Sequence, residues 1–183
     1  QKDFQWICSN NIYNLTITDI TPRRGLLAIQ GPKALQILQN LTSISLDSIA
    51  YYKFKIGRLA GCEDVIISRT GYTGAGGFEI YMKHEDAETI WKKIFSVKKD
   101  IEPIGLAARD TLRLEMGYCL YGNDITEETT PVEAGLSWIV KLNTNFIGKR
   151  YIARQIENGV NQKLVGFILQ ERGVPRQGYE ILN

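Results

Sequence analysis

Apolar positions along this chain follow two periods, and the clearer one is helical. Between Glu85 and Val97, residues Ala87, Ile90, Trp91, Ile94 and Phe95 recur at i, i+3, i+4, i+7 and i+8, which gathers them on one stripe of an α-helix. Acidic residues crowd its first turn and Lys92 and Lys93 follow, as the helix dipole favours. The stripe is expected to lie on a sheet. Helical spacing also marks Lys2 to Cys8, through Phe4, Ile7 and Cys8. A helix opens after Gly31 and Pro32, with Ala34, Leu35, Leu38 and Leu41 on one face. Another runs over Gly148–Asn158, with Gly159 placed to end it. Strand patterns occur at Tyr13–Ile20, at Gly25–Gln30 as a more fully buried run, and at Tyr51–Ile56, Asp64–Arg69 and Phe78–Met82. Ile139–Leu142 reads as extended and Lys163–Leu169 as the start of a further strand. Paired strands mixed with packed helices predict an α+β fold of mixed or antiparallel sheets.

The stretch from Gly105 to Trp138 departs from both periods. Arg109, Asp110, Arg113 and Glu115 alternate with Leu112, Leu114 and Met116 in a helical segment, which breaks at Gly117 into a long loop rich in Gly, Asn, Asp and Thr. A loop of that length within a domain is usually functional or disordered. Tyr118, Cys119, Leu120, Tyr121, Leu136 and Trp138 argue for order.

Composition narrows the classes. With 183 residues, 44% hydrophobic and 23% charged, the chain has the makeup of a soluble globular protein with a substantial core. A net charge of +2 without a dense Lys/Arg run argues against a nucleic-acid binder. Three scattered cysteines and one histidine, His84, cannot supply a familiar zinc pattern, so reduced structural thiols in a cytoplasmic protein are expected. No apolar run is long enough for a membrane span, and QKDFQWICSN lacks the form of a signal peptide. The chain starts without Met and stops at the strand-like GYEILN. It reads as a fragment of a longer protein.

Several residues invite a chemical reading beside a plain one. GYTGAGG holds four glycines in seven residues, suited to close approach of backbone to a ligand and equally to a simple turn. It lacks the G-K-[ST] of a phosphate loop. Glu79 lies between Phe78 and Ile80, so strand alternation turns it away from them, either into solvent or toward a ligand. Arg109 and Arg113 stand one helical turn apart and repel unless an anion or acid separates them. Trp138, Tyr118 and Tyr121 suit a core or the wall of a flat ligand. Asn123, Asp124 and Glu133 are expected to organise their loop by local hydrogen bonds. No G-x-S-x-G motif supports a hydrolase.

Taken together, the QGP turn (Gln30 to Pro32), RTGYTGAGGFEIY (Arg69 to Tyr81), the AARDTLRLE helix, the LYGND loop and TPVEAGLSW make nearly the whole chain resemble the T-protein family of the glycine cleavage system. The resemblance implies a GcvT-type folate-binding fold over residues 1–160 and the beginning of a C-terminal β-barrel domain over 161–183. It implies an aminomethyltransferase that moves a one-carbon unit from the dihydrolipoyl arm of the H-protein to tetrahydrofolate and releases ammonia. The family's motifs carry folate contacts onto Glu79, Arg109, Tyr72 and Trp138, with Arg113 structural and no metal. A carboxylate accepting two adjacent pterin N–H groups is sound chemistry for Glu79. The family's catalytic Asp belongs to a segment that no stretch here matches, so this chain alone is expected to be inactive and to dock H-protein weakly. Where the family has an acidic residue in the glycine loop, Ala75-Gly76 stand. The folate-binding half of a sarcosine or dimethylglycine dehydrogenase is the alternative within this fold. A non-catalytic iron-sulfur maintenance relative ranks below it, because the K-G-C-Y-x-G-Q-E signature is absent.

Overall fold

The alternating segments in the first two thirds of the chain build one four-stranded antiparallel sheet in the computed structural model, which describes residues 1–97, 101–176 and 178–180. Strands β1 (Arg24–Gln30), β2 (Phe54–Leu59), β3 (Cys62–Ser68) and β4 (Gly77–Lys83) lie in the order β1-β4-β3-β2. In β4, Phe78, Ile80 and Met82 are buried while Gly77, Glu79 and Tyr81 are half-buried. That is the period-2 alternation of a strand with one face on the core. Val65 and Ile67 of β3 continue the same buried face.

Two helices contribute to that core. From α2 (Ala34–Gln39) come Ile37 and Leu38, and from α3 (Ala87–Val97) come Ile90 and Ile94. The buried stripe of α3 is narrower than its sequence pattern, because Trp91 stays 45% exposed and stacks beside Phe95 at 4.7 Å between ring centroids. Truncating a buried residue such as Ile80 to Ala would cost about 2–5 kcal/mol. The helix α1 (Lys2–Ser9) buries no residue. The helix α4 (Leu106–Glu115) buries only Arg113.

These elements fall in the first of two compact units, Gln1–Met116, and the second is Gly117–Asn183. The second unit holds α5 (Lys149–Asn158), entered through Gly148 at φ 89° and closed by Gly159 at φ 84°. Its loop organisers behave as their chemistry requires. Asp124 Oδ2 accepts the Leu120 N–H at 2.9 Å. Thr130 and Glu133 form a reciprocal box: Thr130 N–H donates to Glu133 Oε2 at 2.8 Å and Glu133 N–H donates to Thr130 Oγ1 at 3.3 Å. Those bonds from Thr130 hold the Glu133 carboxyl below the usual glutamate range. Asn123 contributes its backbone N–H to Leu120 O at 3.1 Å.

Four expectations from periodicity need correction. Tyr13–Ile20 forms no strand, and Tyr13 and Leu15 are exposed; its alternation reflects composition, with no strand among the described residues pairing with it to complete a ladder. Gly25–Gln30 is a strand but not a fully buried one: Leu27 and Ile29 pack on the core, while Leu26, paired with Tyr81 on the opposite face, is 53% exposed. Ile139–Leu142 is not extended: Ile139 ends the 3-10 turn Ser137–Ile139 and Leu142 is in another turn. Lys163–Leu169 pairs with no strand among the described residues, and Leu164 N–H donates to Glu133 O at 2.8 Å. Strand propensity needs a partner ladder to become a strand. Within GYEILN, residues 181–183 lie outside the described residues. No helix among those described is long and apolar enough to cross a membrane.

Candidate functional site

Strand alternation turns Glu79 to the face of β4 opposite the core, as its position between Phe78 and Ile80 requires. It does not simply enter solvent there. Its cross-strand neighbours are Ala28 and Ser68, and its Oε2 accepts a hydrogen bond from Thr70 Oγ1 and another, at 3.4 Å, from Tyr81 OH. Burial, and then the adjacent Glu79 carboxylate, push the Tyr81 phenol above its ordinary value. Glu79→Gln removes the second cause and leaves the first. Comparing alkaline absorbance titrations of the two proteins should show one tyrosine ionising at lower pH in the variant, and superimposable curves would mean the two groups do not interact.

The glycine-rich loop between β3 and β4 is tied down by a residue that sequence spacing did not single out. Gln30, at the end of β1, donates from Nε2 to Thr70 O at 3.3 Å and to Phe78 O at 3.2 Å, so one carboxamide spans both ends of the loop. Its Oε1 accepts from Thr73 Oγ1 at 3.4 Å. This clamp explains two glycines. A Cβ on Gly71 would stand 1.9 Å from Gln30 Oε1, and one on Gly77 would stand 2.4 Å from Ile29 O. The Gln30–Gly77 cross-strand pairing sets this close approach. Nothing in local spacing announces it.

Held in this way, the loop presents Tyr72 to α4. The Arg109 guanidinium lies over the Tyr72 ring, 4.7 Å from its centroid, within the range of a cation–π contact. Arg113, one turn further on, is turned inward: it is 3% exposed and pairs with Asp110 through Nε at 2.7 Å and through its terminal nitrogen at 2.6 Å, both to Oδ1. The two like charges of α4 thus diverge, Arg113 to an acid and Arg109 to an aromatic face. Arg69, which begins the RTGYTG run, donates to Ile49 O at 2.9 Å and serves as scaffold.

Glu79, Tyr72 and Arg109 therefore come from an inner strand, the loop before it and the helix α4, all within the first unit. Trp138 belongs to the second, in the turn Ser137–Ile139, and is 71% exposed. Tyr121 is also exposed and donates to Glu127 Oε1 at 3.4 Å. No disulfide joins Cys8, Cys62 and Cys119, and Cys8 is exposed, not a core thiol. Among the described residues no group of three or more His, Cys, Asp or Glu could hold a metal ion. A cavity of about 520 Å³ at the start of α5, lined by Phe146, Lys149 and Tyr151 among others, includes none of the four predicted contacts.

Residues 1–144 match the family model described as the GCVT N-terminal domain. The chain belongs to the GCVT family. Among similar proteins, an aminomethyltransferase of Flavobacterium psychrophilum is 56% identical over 185 residues, covering 100% of this chain and 51% of that protein. One from Bacteroides thetaiotaomicron is 50% identical over 187 residues, covering 100% of the chain and 52% of the relative. The crystal structure of the glycine cleavage system aminomethyltransferase T from Bartonella henselae superposes with a TM-score of 0.66 at 37% identity, over 74% of this chain and 37% of that one. The chain spans about half the length of the curated relatives it matches. Membership of the GCVT family agrees with the antiparallel sheet and packed helices described above.

Proposed function

We propose that this chain is part of an aminomethyltransferase of the glycine cleavage system, which takes the aminomethyl group from the lipoylated H-protein and passes its one-carbon unit to tetrahydrofolate with release of ammonia. What supports the reading is the arrangement of three groups suited to a flat, polar-edged ring, in a chain 56% identical along its whole length to a protein named for that activity. Glu79 offers a carboxylate to N–H donors, Tyr72 an aromatic face, and Arg109 a planar cation for an oxygen or carboxylate.

Tetrahydrofolate supplies the nucleophilic nitrogen that receives the carbon. The residues of this chain bind and orient it, and positioning of that kind accounts for a large share of rate enhancement in two-substrate transfers. We place the barrel beginning at 161–183, after a folate-binding region over 1–160, and the protein in the cytoplasm. The test uses the full-length protein with lipoylated H-protein carrying the aminomethyl intermediate. Ammonia and methylenetetrahydrofolate should form together, and only when tetrahydrofolate is present. Ammonia release that ignores tetrahydrofolate would overturn the proposal.

A further inference from the structure

We infer that Thr70 is a positioning residue for Glu79, and that the ligand meets Oε1 of that carboxylate while Oε2 stays held by the protein. This rests on the folate reading above and deepens it. A carboxylate oxygen has two lone-pair directions. Both directions of Oε2 are taken, one by Thr70 Oγ1 and the other by Tyr81 OH at 3.4 Å. Oε1 has no such hydroxyl among the described residues.

The Thr70 hydroxyl has one proton, and the ionised carboxylate can only accept, so that proton goes to Glu79. Ser68 Oγ, 3.1 Å from Thr70 Oγ1, is then the donor in its contact, and a short chain runs from Ser68 through Thr70 to Glu79. Ser68 is also the cross-strand partner of Glu79, so β3 and β4 hold the chain at both ends. Thr70 is fixed in turn because Gln30 Nε2 binds its carbonyl at 3.3 Å. The carboxylate is thus oriented before any ligand arrives, which avoids ordering a glutamate side chain on binding. It presents one acceptor oxygen, so donor groups of the ligand converge on Oε1 and do not bridge both oxygens.

The test measures tetrahydrofolate binding by the full-length protein and by its Thr70→Val and Thr70→Ser variants, with melting temperatures on the same samples. Valine keeps the shape and removes the donor, and serine keeps the donor and removes the methyl group. Thr70→Val should bind about tenfold more weakly, the scale of one hydrogen bond to a charged group. Thr70→Ser should bind within about twofold of the parent, since it retains that bond. Equal affinity of Thr70→Val and the parent would overturn the positioning role while leaving the folate reading intact. Equal losses in both variants, following a lowered melting temperature, would make Thr70 a packing residue and overturn it as well. A parent protein that takes up no tetrahydrofolate would remove the folate reading and this assignment together.

Discussion

Gly77→Ala is expected to destabilise the first unit by roughly 3 kcal/mol or more, combining two costs that act at one residue. Gly77 sits at φ +141°, a region that L residues rarely adopt. Its added Cβ would also stand 2.4 Å from Ile29 O and 2.8 Å from Gln30 Cα. Both obstacles are backbone atoms of β1, so relief requires opening the β1–β4 ladder at the Gln30–Gly77 pair. The neighbouring Gly76→Ala is the control. Gly76 has a positive φ of +76° but nothing within 4 Å of a built Cβ, so it should cost only about 1–2 kcal/mol. Thermal unfolding should show the earliest transition of Gly77→Ala lowered by roughly 10 °C, about two to three times the shift for Gly76→Ala. Equal shifts would mean that backbone conformation alone, and not the close approach of β1, makes glycine necessary.

Replacing the proposed ligand contacts should affect affinity much more than stability. Glu79→Gln preserves shape, and its amide oxygen can still accept from Thr70. The NH2 group then occupies the place of Oε1 and faces ligand donors with a donor of its own. Loss of charge assistance adds to that mismatch, and hydrogen bonds to charged groups are worth roughly 1.5–3 kcal/mol, so tetrahydrofolate should bind about tenfold to a hundredfold more weakly. Arg109→Ala removes an exposed guanidinium over the Tyr72 ring. Stacking there contributes only about 0.5–1 kcal/mol to stability. A decline in affinity beyond tenfold would come from a lost ligand contact. Affinity and melting temperature should be measured on the same full-length variants. A lower melting temperature with unchanged affinity would make Glu79 and Arg109 scaffold residues.

Chain-local information determined the elements whose cause is local. The Ile90/Ile94 stripe made α3 legible, because i, i+4 spacing on a helix needs no knowledge of what lies beneath it. Alternation through Phe78, Glu79 and Ile80 was enough to turn the carboxylate away from the core. Gly159 marked the end of α5 by its backbone freedom. The T-P-V-E run held its own capping box, with all partners within three residues. The motif run pointed to the family for a similar reason, since it is read in order along the chain. Tertiary structure decided whatever depended on a partner distant in sequence. Tyr13–Ile20 and Lys163–Leu169 have strand-like composition, yet a strand exists only when a second one supplies its hydrogen bonds. β1 is apolar, yet one of its faces meets the core and the other does not, and pairing with Tyr81 puts Leu26 on the second. Arg113 and Arg109 look equivalent in sequence; packing buried one against Asp110 and laid the other over Tyr72. Gln30 is 40 residues from Thr70 and 48 from Phe78, and only the pairing of β1 with β4 brings its carboxamide to both ends of the glycine loop.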